Sequence, residues 1–439
     1  MTKEVEFDVV VIGGGPAGLG AANEAKRRGA RKVAIVERDV ELGGILQQCI
    51  HNGFGIHIFG EELTGPEYAQ RYINMVKQPD IDDEHIEILL DTIVISISND
   101  SESGDKKIIA MNTQGVLEIN TKAVILAMGC RERSRGAIGI PGDRPSGVFT
   151  AGAAQRYINI EGHMVGKKVV VQGAGDIGMI MARRIVLEGG EVVAVLNRGT
   201  IVKGLTRNIV QCLEHYDIPL LLNHNIVRIN GAERVESVTV VRTDENKRPI
   251  PGTEMDFECD TLLLSVGLIP ENELTRLANI AIDPRTDGPY VNESMETSIP
   301  GIFACGNVVH VHDVVDFVTE ESQRAGASAA RYVRRLKSDN GNDDSDDNAV
   351  LMNINVSDGL TYCVPQRINY ADMPERMDIF MRVDDVHDKA KIIIKNNDNE
   401  LIRFNKANLM PGEMIKLNVK KSIFDGVNGD IDITLETSN

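Results

Sequence analysis

A glycine-rich loop between an apolar strand and an alanine-rich helix constrains this chain more than any other feature of its sequence. The apolar run 7–12 leads into Gly-Gly-Gly-Pro-Ala-Gly at 13–18, which has the spacing G-x-G-x-x-G, and a helical pattern follows over 19–28. A second apolar run, 33–36, ends in Glu37. Strand, loop, helix, strand and acid in this order predict a βαβ unit that binds a dinucleotide.

Each part of this motif has a physical role in holding a dinucleotide. Gly13 permits a tight turn, Gly15 lets the backbone approach a pyrophosphate, and Gly18 lets helix and strand pack closely. The helix N-terminus offers unpaired N–H groups and the positive end of the helix dipole to the phosphates. Glu37 supplies a carboxylate that can accept hydrogen bonds from a ribose diol.

The same pattern occurs again about 160 residues later in the chain. The segment 167–172, with three valines in a row, leads into Gly-Ala-Gly-Asp-Ile-Gly at 173–178, then into a helical stretch over 181–188 and a further apolar run at 192–196. A second βαβ unit of this kind predicts a second dinucleotide site. The residues of this loop predicted to hold the nucleotide are Gly173, Gly175, Asp176, Ile177 and Gly178.

The second unit departs from the usual pattern at the end of its second strand. Asn197 and Arg198 stand there in place of an acidic residue. An asparagine can hydrogen-bond a ribose hydroxyl, whereas an arginine can accompany a 2′-phosphate. Asn197 and Arg198 are therefore predicted to contact the nucleotide, and the choice between NAD and NADP stays open.

Charge and cysteine usage exclude several classes of protein. Acidic residues exceed basic ones, 65 against 47, so the formal net charge of −18 disfavours binding to nucleic acid. The six cysteines are widely spread without a CxxC pair, which predicts reduced thiols and no metal centre. No apolar run is long enough for a transmembrane helix. The acidic N-terminus runs straight into a strand pattern, and we therefore predict a cytoplasmic protein.

The rest of the chain predicts a nested arrangement followed by a separate β domain. Buried strand patterns at 123–129, 261–267 and 302–307 each contain a glycine near their end, and a helical pattern covers 314–336. An acidic stretch follows, and beyond it short strand patterns alternate with Asn, Asp and Gly turns. The predicted fold is α/β, with two nested Rossmann-like dinucleotide-binding domains and a small C-terminal all-β, sandwich-like domain. The predicted divisions are 1–145 and 271–336 for the first domain, 146–270 for the second, 337–348 for a linker and 349–439 for the β domain.

With these motifs the chain resembles the flavoproteins with two dinucleotide-binding domains, the group that includes the pyridine nucleotide–disulfide reductases, over roughly residues 5–335. The resemblance implies that the first unit binds FAD and that the second, inserted into the first, binds NAD(P)H. It also implies that a late strand–glycine motif returns to the flavin. The residues it assigns to FAD are Gly13, Gly15, Pro16, Ala17, Gly18, Glu37, Arg38, Gly43, Gly44, Gly129, Gly306 and Asn307.

The chain departs from the reductases in this group where their redox-active cysteines stand. Where they carry CxxxxC, this sequence has Leu46 and His51, with Cys49 between them. The CxxC of thioredoxin-reductase-like members is also missing before the second unit. The resemblance therefore implies a flavoprotein without the redox disulfide. Asn307 stands where the family has Asp, which keeps a hydrogen-bonding group but loses its charge.

A closer resemblance is suggested by four segments near the predicted flavin and by one in the β domain. It is to the NAD(FAD)-dependent dehydrogenases that accompany anaerobic glycerol-3-phosphate dehydrogenases, and to subunits of opine oxidases, hydrogen cyanide synthase and amine oxidases. It implies a partner dehydrogenase, with a glycerol-3-phosphate dehydrogenase as the candidate. The segments are 43–55, 63–68, 128–133, 306–313 and 409–414.

Five side chains near the predicted flavin are candidates for a role in its chemistry. Cys49 is either a reactive thiol or a small buried residue, and His51 lies in a segment that runs beside the flavin in the family. His310 and His312 are either proton donors to the reduced flavin or hydrogen-bonded loop residues. Asp313 either caps the next helix or places the N-terminus of that helix near the flavin. None is predicted to bind a metal.

Three hypotheses for function follow from the sequence. The main one is an FAD-dependent NAD(P)H oxidoreductase that passes electrons to a partner protein or a small acceptor. The second keeps FAD but makes the chain an electron-transfer subunit whose own NAD site is lost. The third is a non-catalytic assembly subunit, and the complete first motif argues against it.

Overall fold

The computed structural model describes residues 3–78, 85–99, 104–338 and 351–437. It divides into two units, and the second is inserted into the first: Met1–Cys130 with Pro270–Asn439, and Arg131–Ile269. None of the helices within the described residues is both long enough and apolar enough to cross a membrane.

The first unit is built around a seven-stranded sheet whose central strand is Lys3–Ile12. That strand pairs in parallel with Val33–Val36 on one side and with Gly115–Leu126 on the other. The strand Ile302–Ala304 then returns to pair in parallel with Gly115–Leu126, so the sheet is completed only after the inserted unit. The remaining strands of this sheet are Glu87–Leu89, Ile93–Asn99 and Lys106–Asn112.

Two helices that pack against each other also contact this sheet. The helix Pro16–Arg27 lies against the long helix Val315–Ser338. Val9, Val10 and Val11 are fully buried, as expected for a parallel strand covered on both faces. The other elements of the nucleotide-binding part of this unit are the helices Gly65–Lys77 and Glu273–Leu277, the 3-10 turns Gly44–Gln48 and Gly306–Val308, and the short strands Asn52–Phe54 and Leu63–Thr64.

The second unit has its own parallel sheet, arranged around the strand Lys168–Gln172. The helix Asp176–Leu187 follows that strand after the glycine loop. Three further strands form a separate antiparallel sheet, and in the chain they lie between the parallel strands Leu220–Leu222 and Thr261–Leu264. The parallel strands are, in spatial order, Val148–Thr150, Thr261–Leu264, Lys168–Gln172, Glu191–Asn197 and Leu220–Leu222. The antiparallel strands are His224–Asn230, Ser237–Arg242 and Met255–Glu258. Shorter elements are the helices Arg135–Ile138, Ala151–Asn159 and Thr206–Asn208, the π-turn Ile209–Leu213 and the 3-10 turn Glu214–Tyr216.

The C-terminal region consists of two facing β-sheets. Alternate residues of Arg376–Val383, namely Met377, Ile379, Met381 and Val383, are buried in a core shared by both sheets. One sheet contains, in order, Arg367–Asn369, Leu351–Val356, Ile431–Thr437, His387–Asn396 and Asn399–Leu409. The other contains Leu360–Val364, Arg376–Val383 and Ile415–Lys420, and a 3-10 turn follows at Lys421–Phe424. The predicted fold class is confirmed, including its sandwich-like β domain.

Two differences from the predicted elements have simple physical reasons. The strand Asn399–Leu409 lies at the edge of its sheet and is mostly polar and exposed, so it lacks the apolar pattern of a buried strand. The helix Val315–Ser338 extends two residues into the predicted acidic linker 337–348, because Lys337 and Ser338 are compatible with a helix end. The rest of that linker, 339–348, lies outside the described residues.

Candidate functional site

The first glycine loop has a shape that only glycine can form. Gly13 follows the strand Lys3–Ile12 with a φ of +107°, and a Cβ atom there would lie 2.4 Å from the carbonyl oxygen of Ala127. A Cβ on Gly18, in the first turns of the helix Pro16–Arg27, would lie 1.8 Å from the carbonyl oxygen of Gly13. Strand, turn and helix are thus in direct backbone contact, as a dinucleotide-binding turn requires.

A second loop closes against the first and forms a cradle of backbone. The N–H group of Gly43 donates to the carbonyl of Gly14 over 2.9 Å. A Cβ on Gly44 would lie 3.0 Å from Cα of Gly15, whereas a Cβ on Gly15 would meet nothing nearer than 3.9 Å. The backbone at Gly15 is therefore accessible at the N-terminus of its helix, and the residues present fit the pyrophosphate of FAD.

Glu37 is fixed at the edge of this cradle. Its side chain is buried, and its two oxygens accept hydrogen bonds from the N–H groups of Gly14 at 2.6 Å and Asp39 at 2.8 Å. Each carboxylate oxygen has a further lone pair, so Glu37 keeps the capacity to accept from a ribose diol. The neighbouring Arg38 is exposed, and its contact with FAD stays a prediction.

The late motif also lies in the first unit. Gly306 follows the strand Ile302–Ala304, and Gly129 follows the neighbouring Gly115–Leu126 with open space around it. The side chain of Asn307 accepts from the N–H of His312 at 3.0 Å and donates to the sulfur of Cys130 at 3.5 Å. Its amide therefore orders the loop that it starts, and its predicted contact with the flavin stays a prediction.

The six cysteines all lie in the described segments, and none of them forms a disulfide. Cys49 is partly buried and lies against the carbonyl oxygen of Ile45, 3.2 Å from its sulfur, and burial raises the pKa of its thiol to about 12. A thiol of this kind is almost entirely protonated at neutral pH, so it is a poor nucleophile. The structure thus favours the small-buried-residue interpretation of Cys49.

We expect Cys49→Ser to leave the rate of flavin reduction by NAD(P)H within about twofold of the original rate. With a pKa of about 12, roughly one thiol in ten thousand is ionised at pH 8, so Cys49 should also resist iodoacetamide. Stopped-flow absorbance and mass spectrometry of the alkylated chain measure the two quantities. A large loss of rate in Cys49→Ser would identify Cys49 as part of the electron path.

Asp313, predicted either to cap the next helix or to place the N-terminus of that helix near the flavin, forms contacts that the sequence did not indicate. Its carboxylate pairs with the guanidinium of Arg382 and accepts from the N–H of Met414 at 2.7 Å, so it anchors the β domain to the loop before the helix Val315–Ser338. Asp316, which the sequence analysis missed, is fully buried in the first turn of that helix. It accepts from the N–H group of Gly55 at 3.2 Å, in the segment after the Gly43 loop. An aspartate at the first turn of a helix is common, so the sequence carried no specific signal for this contact.

His51 lies in the same glycine-rich segment and contacts residues of that segment. Its Nδ1 atom is 3.0 Å from the carbonyl oxygen of Asn52, and its ring lies 5.1 Å from the ring of Phe54. Its position beside a bound flavin stays a prediction.

His310 and His312, in contrast, converge on Glu321, which the sequence analysis missed. The Nε2 atoms of His310 and His312 lie 2.9 and 3.4 Å from one carboxylate oxygen of Glu321, and all three side chains are at most 1% exposed. Burial, and then the neighbouring His312, lowers the pKa of His310 to about 4. Burial alone would raise the pKa of Glu321, but the two imidazoles hold it below its ordinary value. We call these three residues the His–His–Glu cluster.

The second glycine loop repeats the geometry of the first within the inserted unit. Gly173 has a φ of +106°, and a Cβ there would lie 2.0 Å from the carbonyl oxygen of Ser265. A Cβ on Gly178 would lie 2.5 Å from the carbonyl oxygen of Gly173, while Gly175 precedes the helix Asp176–Leu187. The residues present therefore fit the pyrophosphate of a nicotinamide dinucleotide.

Two polar side chains around this second loop form hydrogen bonds within the protein. Asp176 accepts from the N–H of Leu205 at 2.8 Å and from the amide of Asn208 at 2.6 Å, so its carboxylate ties the helix start to the segment after the second strand. The amide of Asn197 donates to the carbonyls of Gly199 and Ile201 at 2.8 and 3.0 Å. Ile177 follows Asp176 in the first helical turn, and its nucleotide contact stays a prediction.

Two sheets, each with a glycine loop at the carboxyl end of a central strand that pairs in parallel on both sides, define a protein with two dinucleotide-binding units. The family model for pyridine nucleotide-disulphide oxidoreductases matches residues 7–333. The chain belongs to this family, which confirms the wider resemblance. It also confirms the predicted cofactors, FAD and NAD(P)H, and the predicted class of enzyme, an oxidoreductase.

Individual relatives are distant. The chain is 28% identical over 329 residues to mitochondrial dihydrolipoyl dehydrogenase of Caenorhabditis elegans, a match covering 69% of this chain and 63% of that protein. It is 26% identical over 357 residues to one of the opine oxidase subunits of Agrobacterium tumefaciens, covering 75% and 64%. This chain thus spans less than two thirds of the length of each of these two relatives. Among solved structures, T. acidophilum thioredoxin reductase superposes with a TM-score of 0.59 at 22% identity, covering 74% of this chain and 98% of that one.

Proposed function

We propose that this chain takes a hydride from NAD(P)H onto FAD and passes the electrons to a second protein. The observation that carries the proposal is the combination of two intact glycine cradles with six cysteines that form no disulfide. Each cradle fits the pyrophosphate of one dinucleotide, and none of the six cysteines forms a disulfide that the flavin could reduce. Electrons that reach the flavin must therefore leave through another acceptor.

The residues of this chain contribute binding and alignment in this scheme. FAD, when bound, accepts a hydride and can release its electrons singly or in pairs. The glycine loops hold the two pyrophosphates, Glu37 orients one ribose, and Asp316 holds the segment 55–58 against the long helix. Alignment of this kind is the main contribution that a protein makes to hydride transfer between two cofactors.

The partner we propose is a substrate dehydrogenase, with a glycerol-3-phosphate dehydrogenase as the candidate, and it takes up the electrons by reducing the oxidised form of its substrate. Support comes from the motif resemblance over 43–55 and 306–313, and from the similarity to a protein that is itself named as part of a larger enzyme, opine oxidase. The cysteines support the proposed cytoplasmic location, because reduced thiols are usual there.

An anaerobic titration of the purified protein with NADH, and then with NADPH, tests the proposal. We expect one equivalent of nucleotide to bleach the oxidised flavin band, and thiol-specific reagents to leave this unchanged. A flavin that bleaches only with dithionite would favour the second hypothesis, an electron-transfer subunit that its partner reduces. Absence of a flavin band after reconstitution with FAD would overturn both.

We further propose that the nucleotide is NADPH. Arg198 is exposed at the strand end where a 2′-phosphate would lie, and the side chain of Lys247 lies within 3.3 Å of where a Cβ on Gly199 would be. The amide hydrogens of Asn197 are already donated to carbonyls of the protein. Two cations, with an asparagine in place of the usual acid, suit a phosphate better than a bare ribose diol.

Arg198→Ala should accordingly raise the KM for NADPH by about tenfold and change the KM for NADH by less than about twofold. The physical reason is the loss of one charge-assisted contact, which contributes about 1.5–3 kcal/mol. Steady-state reduction of an artificial acceptor measures both constants. Arg242→Ala, another exposed arginine of the same unit, is the matched control. Equal effects of Arg198→Ala on the two nucleotides would contradict the assignment.

A further inference from the structure

The His–His–Glu cluster joins two segments of the first unit. His310 and His312 stand in the loop that follows the 3-10 turn Gly306–Val308, and Glu321 stands in the second turn of the long helix. One oxygen of Glu321 accepts from the N–H of Gly306 over 2.6 Å, which fixes the carboxylate. Its other oxygen faces both imidazoles, so three potential ligand atoms point toward one small volume.

The distances in this cluster match those between ligands of one metal ion. Ligand atoms that each lie about 2.0–2.1 Å from a tetrahedral zinc ion are about 3.3 Å from one another. The Nε2 atoms of His310 and His312 lie 2.9 and 3.4 Å from the same oxygen of Glu321. All three ligand atoms lie within 4.8 Å of one another.

The outer hydrogen bonds of the rings leave the correct atoms available to bind a metal. Nδ1 of His312 lies 3.1 Å from the carbonyl oxygen of His310, and since a carbonyl only accepts, Nδ1 carries the hydrogen. Nε2 of His312 then has a lone pair directed at the cluster. Nδ1 of His310 lies 3.5 Å from the hydroxyl of Tyr362. Histidines that bind metals characteristically use their second nitrogen in this way.

The hydrogen bond between His310 and Glu321 leaves one nitrogen of the cluster without a partner. A proton shared between Nε2 of His310 and Glu321 pairs those two groups, but Nε2 of His312 is buried without a hydrogen-bond partner. A buried, unpaired polar atom costs about 1–3 kcal/mol. A cation that binds all three atoms at once removes this cost.

We propose that the His–His–Glu cluster binds one divalent ion of the zinc class. Two imidazoles and one carboxylate form a known zinc donor set, which leaves a fourth position for water. Arg382 is the nearby cation, and its charge is offset by its ion pair with Asp313. The rings of Phe380 and Tyr362 lie 5.6 and 5.7 Å from the ring of His310 and enclose the site. The ion cross-links the loop 306–313 to the long helix.

Metal content of the untagged full-length protein tests this proposal. After removal of metals with a chelator and dialysis against zinc sulfate, we expect about one zinc ion per chain by mass spectrometry and a melting temperature raised by several degrees. Two variants should lose both: His312→Phe, which keeps a ring but no nitrogen, and Glu321→Gln, which keeps an acceptor for Gly306. His215→Gln, at an exposed histidine, should keep both.

The same experiment can overturn the proposal in two ways. One such outcome is a reconstituted original chain with less than about 0.1 zinc ion per chain and an unchanged melting temperature. It would show that the cluster holds only protons, regardless of the results for the variants. Zinc retained by a folded His312→Phe chain would show that the ion binds elsewhere. A melting temperature of His312→Phe equal to or above that of the zinc-free original chain is expected, because the change removes a buried unpaired nitrogen.

Discussion

Replacing Gly13 by alanine is expected to abolish FAD binding and to lower the free energy of unfolding by about 2–5 kcal/mol. The new Cβ would lie 2.4 Å from the carbonyl oxygen of Ala127, and neither atom belongs to a flexible side chain that can move aside. Overpacking of this kind costs about 1–3 kcal/mol. The φ of +107° adds about 1–2 kcal/mol, because an alanine rarely adopts it.

Gly29→Ala separates these two costs. Gly29 also has a positive φ, +94°, but a Cβ there would have no atom within 4 Å. This variant should lose only about 1–2 kcal/mol and should keep its flavin. The flavin-to-protein absorbance ratio measures FAD content, and urea unfolding of the FAD-free proteins measures stability. A Gly13→Ala chain that purifies with full FAD content would contradict the assignment of this loop to the pyrophosphate.

Replacing Gly173 by alanine should impair binding of the nicotinamide nucleotide and leave FAD binding intact. A Cβ there would lie 2.0 Å from the carbonyl oxygen of Ser265, in the inserted unit, so the second loop should deform while the first stays intact. We expect FAD content to be unchanged. The concentration of NAD(P)H needed to reduce the flavin should rise at least about tenfold, because a deformed loop loses backbone hydrogen bonds to the pyrophosphate, and hydrogen bonds to charged groups contribute about 1.5–3 kcal/mol each.

Gly189→Ala is the matched control for this second change, since Gly189 has a φ of +83° and open space around it. Its nucleotide titration should equal that of the original chain. A Gly173→Ala chain that NAD(P)H reduces normally would exclude the second loop as the nucleotide site. If NAD(P)H reduces neither the Gly173→Ala chain nor the Gly189→Ala chain, while dithionite reduces both, the result would support the hypothesis of an electron-transfer subunit.

Short sequence patterns predicted an element correctly where the residues that determine it are contiguous in the chain. The strand 7–12, the loop 13–18 and the following helix are contiguous, and a parallel strand buried on both faces has an unmistakable apolar run. The edge strand Asn399–Leu409 was missed because polar residues repeatedly interrupt its apolar ones, so no continuous apolar run marks it.

Glu321, Asp316 and Arg382 were missed for a different reason. Each is an ordinary charged residue in its own segment. Asp316 and Arg382 acquire their roles from distant segments, at Gly55 and Asp313, whereas Glu321 meets Gly306 across a turn of the chain. Asp313 shows the same limit, because its position before a helix suggested only a cap or a helix end near the flavin, whereas its side chain pairs with Arg382 in the β domain.

The sequence by itself determined the two dinucleotide-binding units, their nested order and the β domain, and it lacks the family's two paired-cysteine patterns. These follow from glycine spacing, strand periodicity and cysteine positions, which act over a few residues. Only the tertiary structure decided that His310, His312 and Glu321 meet, and that the β domain is anchored at Asp313. Such juxtapositions depend on how the long helix packs on the sheet, and no short pattern encodes that packing.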